Sequence, residues 1–494
     1  MPPTFSSQRS SSPPPPPQHH YSPKKTKPSL LKTTFNSVKS QPGFRLTGWL
    51  VITLIFQALI IVFFLRDSSS APAPWDLQRF QAPTDKECKF GRIYVYDLPP
   101  EFNADLLKNC NDLDPWKSRC NAVSNGGFGP KATNLGGVVP ENLLPAWYWT
   151  DMYIGEVIYH VRVMDYKCRT LDPLQATAFY VPFYPGLAVG KYLWFNYTSK
   201  DRDRPSEMLL DWLTKQPYWK KSNGADHVFA FGRLTWDFRR QTDKDTDWGT
   251  SFIYMPLMKN VIKITVERSP WDELEFSVPY PTSFHPRSES DIVQWQSYIR
   301  SRTRHSLFTF VGATRTKIKN DFRGLLMDYC KSESGSCRVV DCSVTRCSDG
   351  ATAILEAFLD SDFCLQPKGD GSTRRSFFDC MLAGSIPVYF WEGSFQGQYE
   401  WHLPINAKTY SVFISHNDVR NGENGTVRIR KVLEGYSKDE VKKMRETIVD
   451  LLPRLLYAES SKGLGNNTKD AFDVTMERVL RRIQLQNLRK KQNF

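Results

Sequence analysis

Residues 363–390 read FCLQPKGDGSTRRSFFDCMLAGSIPVYF, and this stretch decides the fold class. The apolar run 363–366 predicts a strand, the loop with Gly369 and Gly371 a turn, and 374–383 a helix that stops at Gly384 as its C′ residue. Residues 386–390 follow as a second buried strand, completing a strand-loop-helix-strand unit. Backbone N–H groups at such a helix start form an anion site. Arg374 and Arg375 fall in the first helical turn, where positive charge opposes the helix dipole by about 0.3–1 kcal/mol each. That local rule break points to a bound anion, although two arginines pointing into water would satisfy the sequence equally well. Asp379, one turn further on, suits a ribose hydroxyl or simply an i, i+4 pair with Arg375.

The same alternation continues on both sides. Strands are expected at 92–96, 178–182 and 228–231, with a helix at 153–164. A second series opens with a strand at 307–311, then helices at 318–329 and 352–359. Two successive Rossmann-like domains result. Ligands of open sheets bind beyond the carboxyl ends of strands, which places Arg315, just after 307–311, near the same phosphates. Ser437 and Glu440 have the spacing of a capping box before a long amphipathic helix, and another helix is expected near the C-terminus.

At 494 residues, with 40% hydrophobic and 13% aromatic side chains, most of the chain has the composition of a folded protein. Of the net charge of +13, residues 1–45 contribute seven positive side chains and no acid, leaving +6 elsewhere. No concentrated basic stripe remains, so nucleic acid is not expected as a partner. Residues 46–65 (LTGWLVITLIFQALIIVFFL) carry no charge and as a helix span about 30 Å, the thickness of a bilayer core. Their basic N-terminal flank predicts a cytosolic N-terminus and a lumenal remainder, a single-span type II protein.

All ten cysteines follow this span and none is spaced for zinc, so disulfides are expected, with Cys110 and Cys120 suited to a short loop closure. Acceptor triplets for N-glycosylation stand at Asn196, Asn424 and Asn466. The resulting plan is a disordered tail (1–45), a membrane anchor (46–65), a stem (66–87), a first Rossmann-like domain (88–300), a second (301–445) and C-terminal helices (446–494).

Several separate stretches, GRIYVYDLPPEFN (91–103), TDMYIGEVIYH (150–160), AFYVPFYPGL (178–187), GRLTWDFRR (232–240), PYPTSFHP (279–286), the 363–390 run and YEWHLP (399–404), resemble the plant exostosin-like glycosyltransferases of family 47. The likeness runs from about Cys88 to about residue 450 and is greatest toward the xyloglucan galactosyltransferases. It implies an inverting Golgi enzyme of GT-B type, with two Rossmann-like domains facing a cleft. Such an enzyme would move β-galactose from UDP-galactose to a xylose side chain of xyloglucan in the plant cell wall, and would admit complexes with other Golgi glycosyltransferases. A family member using UDP-galacturonic acid or UDP-arabinose, or a membrane-tethered carbohydrate-binding scaffold without turnover, are the alternatives. The resemblance implies a donor site at Arg374, Arg375 and Asp379, with Asp379 where many relatives carry Glu, and Arg315, Gly369, Gly371 and Ser372 of the strand end and glycine loop are expected to join it.

An inverting transfer needs a base facing the cleft from the acceptor side. Asp237, beyond the 228–231 strand, is the first candidate and His227 the second; a turn aspartate and a structural histidine are the plainer readings of the two. Arg233 falls at the same strand end. Glu156 and His160 share a helix face at i, i+4 and either line the cleft or hydrogen-bond within the acceptor domain. Asp243, Asp245 and Asp247 form an Asp-x-Asp run without the glycine or distal Glu of a calcium loop, and a solvated turn is expected. With arginines supplying the positive charge, neither a metal nor another cofactor is expected. Protease added outside sealed microsomes should digest the N-terminal tail and spare the C-terminal part; the reverse pattern would invert the topology.

Overall fold

The computed structural model describes residues 87–492 except 316–317, 346, 348–351, 422–424 and 466. The expected tail, membrane span and most of the stem, and the triplets at Asn424 and Asn466, lie outside the described residues. Among the described residues no helix is long and apolar enough to cross a membrane.

Eleven described strands form two sheets, and every pairing within them is parallel. The first contains β1 (Arg92–Val95), β2 (Arg169–Thr170), β3 (Ala176–Tyr180), β4 (His227–Ala230), β5 (Ile262–Thr265) and β6 (Glu275–Ser277), in the order β2-β1-β3-β4-β5-β6. The second contains β7 (Ser306–Gly312), β8 (Cys337–Asp341), β9 (Ser361–Gln366), β10 (Ile386–Tyr389) and β11 (Val412–Phe413), in the order β11-β10-β9-β7-β8. β4, β5 and β10 are buried along their whole length, as strands covered on both faces are. The architecture is α/β, two open parallel sheets of Rossmann-like type.

β5 and β6 escape the sequence pattern because each carries a charge inside. Lys263 and Glu275 are buried, the first paired with Asp272 at 3.2 Å and the second with Arg239. The helix expected at 318–329 runs from Phe322 to Ser332, because the Asp321 side chain accepts from the amides of Arg323 and Gly324 and fixes its start. The helix after the glycine loop spans Arg375–Leu382, with Arg374 as its N-cap. It closes as the sequence predicts: Gly384 at φ 68° donates to Met381 (2.9 Å) and Ser385 to Cys380 (3.1 Å), the paired bonds of a Schellman stop.

Two connections bind the sheets to each other. Leu135, Leu143 and Trp147, from the first half of the chain, are buried in one cluster with Val311, Phe358 and Cys364 of the second. The helix Lys438–Leu451, whose Ser437–Glu440 capping box forms, packs on the second sheet's core through Val441, Met444 and Ile448. The chain then returns: Phe472, Met476, Val479 and Ile483 of the helix Ala471–Gln492 are buried against Ile93 and Ala178 of the first sheet. Arg162 meets Asp470 at 2.8 Å, both buried, where this helix begins.

All ten cysteines are paired, as Cys88–Cys168, Cys110–Cys120, Cys330–Cys337, Cys342–Cys347 and Cys364–Cys380. Cys364–Cys380 staples β9 to the Arg375–Leu382 helix across the glycine loop. Closing a loop of this size stabilises by about 3 kcal/mol, so replacing both cysteines by Ala should lower the unfolding free energy by about 2–4 kcal/mol in urea. Alkylation of the denatured, unreduced protein should label no thiol; mass spectrometry finding several labelled cysteines would refute the pairing.

Candidate active site

A cavity of about 490 Å³ lies where the loops from the two halves meet. Asp151, Tyr153 and Arg233 line it from the first half; Arg323, Asp370, Arg374, Arg375 and Asp379 line it from the second. These groups follow the carboxyl ends of parallel strands or open the helices after them, where backbone donors converge.

Three guanidinium groups cluster at the glycine loop. Burial and the neighbouring charges of Arg323 and Arg315 push the Arg374 guanidinium below its ordinary pKa. Burial and Arg315 do the same to Arg323. Arg323 leaves its buried Nε without a hydrogen-bond partner, and Arg374 Nη1 reaches only the Pro367 carbonyl, at 3.3 Å. Asp370 is the acid among them, bound to Arg315 at 2.5 Å. Such an excess of half-buried positive charge favours an anion opposite it. No side chain caps the Arg375–Leu382 helix, whose first turn adds its free N–H groups to the same place.

Arg375 is used differently from the sequence expectation. Its Nη1 donates to the Thr150 carbonyl, its Nη2 to Ser283 Oγ at 2.8 Å, and its Nε pairs with Asp379 at 3.2 Å. It therefore ties the helix start to two loops of the other half, and the i, i+4 pair is the observed partner of Asp379. Burial raises the Asp379 carboxyl above its ordinary range against the pull of Arg375.

The remaining donor-loop residues divide. A Cβ on Gly369 would come within 3.3 Å of both Arg323 and Arg374, so glycine lets the arginines close in. A Cβ on Gly371 would meet Glu267 at 2.4 Å; that carboxylate accepts from the Thr373 amide at 2.7 Å and its hydroxyl at 2.8 Å, so Gly371 serves an interdomain contact. Ser372 does not line the cavity, and its carbonyl is taken by Ser394. Arg315 does not line it either, but holds Asp370, which does.

Both expected bases are corrected. Asp237 is buried off the cavity: Oδ2 accepts from Arg233 Nε at 2.6 Å and Oδ1 from Trp248 Nε1 at 2.7 Å. Outside the cavity lining, it holds Arg233, whose guanidinium also lies 5.2 Å from the Tyr153 ring. His227 is fully buried between the Tyr96, Phe179 and Trp219 rings, bonded to Tyr96 and Asp226, at the amino end of β4 and so remote from the loops that carry the site. Glu156 and His160 sit inside the first half. His160 meets the Tyr184 hydroxyl at 2.6 Å, and burial takes its pKa down to about 4. Glu156 accepts from the amides of Gly186, Leu187 and Gly232, the last at 3.0 Å, and so fixes the backbone beside Arg233. The Asp243 to Asp247 run is a turn: Asp245 accepts from the Ser199 amide at 2.7 Å, and Asp243 pairs with Arg240 at 3.2 Å. Asn196 is exposed.

Reasoning from sequence missed Arg323, Asp151 and Glu267. Arg323 had a legible signal, a cation in the first turn of a helix, the same feature that singled out Arg374. Asp151 carries no sequence mark. Burial would raise its carboxyl, but the Arg119 guanidinium at 2.8 Å and the Tyr153 amide hold it below the usual range.

A helix start suited to an anion, with acidic and aromatic groups across a cleft between two Rossmann-like sheets, is what a transferase of nucleotide-activated sugars needs, and the molecule is a glycosyltransferase. An exostosin GT47 domain model matches residues 87–430, and the chain belongs to that family. It is 55% identical to the Arabidopsis thaliana xyloglucan galactosyltransferase XLT2 over 81% of this chain and 77% of that protein. It is 42% identical to xyloglucan galactosyltransferase MUR3 (79% of this chain, 62% of that one). With xyloglucan-specific galacturonosyltransferase 1 the identity is 39% (80% and 58%), both also from Arabidopsis thaliana. A structure of S. aureus TarM with UDP overlays with a TM-score of 0.28 at 8% identity, covering 53% of this chain and 57% of that one.

Glu156 provides a stability test. Burial lifts its pKa to about 7 against three backbone donors. A raised acid favours the folded state in its protonated form, so its contribution is complete below the unfolded value near 4.5 and is lost as pH rises to about 7. Glu156→Gln turns an amide nitrogen toward an N–H donor and should cost about 1–3 kcal/mol. The gap to wild type in urea should widen as pH falls from 7 to 5, by at most about 1.4 kcal/mol per unit; a gap constant with pH would contradict the shift.

Proposed function

We propose that the protein transfers galactose from UDP-galactose to a xylose side chain of xyloglucan, inverting the anomeric centre. The proposed setting is the Golgi lumen, with the chain anchored as a type II membrane protein in plant cell-wall synthesis. The observation that carries the reading is the arginine cluster: Arg374 and Arg323, with the open helix start, supply the charge that a diphosphate brings to neutrality. The names and identities of the galactosyltransferase relatives support the donor sugar and the acceptor. The 55% identity to XLT2, against 39% to the galacturonosyltransferase, favours galactose over a uronic acid donor.

In the proposed mechanism Arg374 and Arg323 hold the diphosphate in the ground state and stabilise the charge that builds on it as the glycosidic bond breaks. No divalent metal is needed for that role. Asp379 is placed for the ribose or the sugar. Asp151, kept ionised by Arg119 and facing the cavity from the acceptor half, is the proposed base for the xylose hydroxyl. Arg233 orients groups beside it, held by Asp237.

Purified lumenal protein, a panel of UDP-sugars and galactose-free xyloglucan test the reading. Galactose should be transferred in the presence of EDTA; a requirement for manganese would overturn the metal-free mechanism, and preference for another UDP-sugar the donor assignment. Arg374→Ala removes charge-assisted hydrogen bonds of about 1.5–3 kcal/mol, so UDP affinity should fall roughly tenfold to a hundredfold, with turnover falling too. Asp151→Asn should leave UDP affinity intact and cut turnover by about 10²–10⁴. Near-normal turnover in that variant would remove Asp151 from the mechanism.

A further inference from the structure

Outside the cavity, large aromatic rings stand in one continuous row. Phe195 lies 5.3 Å from Trp116 between ring centroids, Trp116 6.2 Å from Trp194, Trp194 5.1 Å from Trp248, and Trp248 5.6 Å from Trp236. Trp116, Phe195 and Trp236 are 57%, 67% and 40% exposed, a concentration of apolar surface that soluble folds seldom leave open without a ligand. Phe195 also sits at φ 65°, a left-handed conformation that bulky residues adopt only under constraint, and its ring gains no burial there.

The row is joined to the active site at two points. Trp194 lines the cavity, as do Asp114 and Lys117 on either side of Trp116 in the chain. Asp237 bonds Trp248 through one oxygen and Arg233 through the other, so one buried carboxylate sets both a member of the row and a cleft arginine. Flat, weakly polar faces suit the axial C–H faces of pyranose rings, whereas the cavity wall opposite, with its arginines, suits an anion.

We propose that this aromatic row is the binding track for the sugar backbone of a neutral polysaccharide acceptor, feeding a side chain past Trp194 into the cleft. The proposal deepens the acceptor half of the function above and rests on that reading.

The test is binding of galactose-free xyloglucan to the intact enzyme by affinity electrophoresis, with acceptor kinetics and UDP calorimetry in parallel. Trp116→Ala and Trp236→Ala change exposed rings, and thermal melts verify folding. Each should raise the KM for polymer roughly tenfold, the loss of one aromatic face, while UDP affinity stays at the wild-type value. The KM for a short oligosaccharide that reaches only the cleft should change much less. The variants are repeated on Asn196→Gln, because Asn196 is exposed beside Phe195 and a glycan there would shield the row.

Unchanged polymer affinity and KM in both variants would overturn the track. Unchanged affinity together with a dimer that becomes a monomer in light scattering would assign the row to contact between copies and overturn it as well. A wild-type enzyme that ignores xyloglucan but binds another neutral glycan through Trp116 would refute the acceptor assignment and leave the track standing.

Discussion

The guanidinium of Arg375 is where the two halves of the molecule are registered against each other. It leaves the first position of a helix in the second half and reaches the Thr150 carbonyl and Ser283 hydroxyl of the first. A cation at that helix position is unfavourable by itself, and it persists because three acceptors, on two loops of the other half and on its own helix, surround it. The Glu267 contact to Thr373 runs in the opposite sense, an acid from the first half accepting from the loop of the second. These two polar contacts hold the cleft walls, while the apolar cluster around Trp147 and Phe358 joins the halves away from the charges.

With Arg375 and Gly371 committed to structure, the proposed recognition of a diphosphate falls to Arg374 and Arg323. The division is physically sensible: a guanidinium whose three nitrogens are each held by protein is poorly placed to follow the changing charge of a leaving group. One with an unpartnered buried Nε, as in Arg323, has a donor to offer. Positioning residues stand behind each cleft group. Asp237 holds Arg233, Arg119 holds Asp151, and Glu156 fixes the amide of Gly232 next to Arg233. Truncating any of them should disturb the site without removing a group that touches substrate.

How far the chain could be read in advance depended on where its signals were local. Strands β1, β3, β4, β7, β9 and β10 and the helix stop at Gly384 follow from short-range pattern and were legible within a residue or two. β5 and β6 were not, since a buried Lys263 or Glu275 looks like a surface position until its partner, Asp272 or Arg239, is known. The 367–373 loop drew notice because the helix after it breaks a charge rule, and the ion pair of Arg375 with Asp379 was visible as i, i+4 spacing.

Sequence by itself determined the alternation of strands and helices, the capping box at Ser437, the charge reversal at the 374–375 helix start, and membership in a glycosyltransferase family through motifs in order. It could not tell Asp237 from Asp151, because the difference is only which way each faces: one into a pocket with Arg233 and Trp248, the other into the cavity. Nor could it reveal that Trp116, Trp194, Trp236 and Trp248, far apart in the chain, form one row. Burial, facing and the meeting of distant residues depend on long-range packing of the two sheets, and local pattern carries no information about that packing.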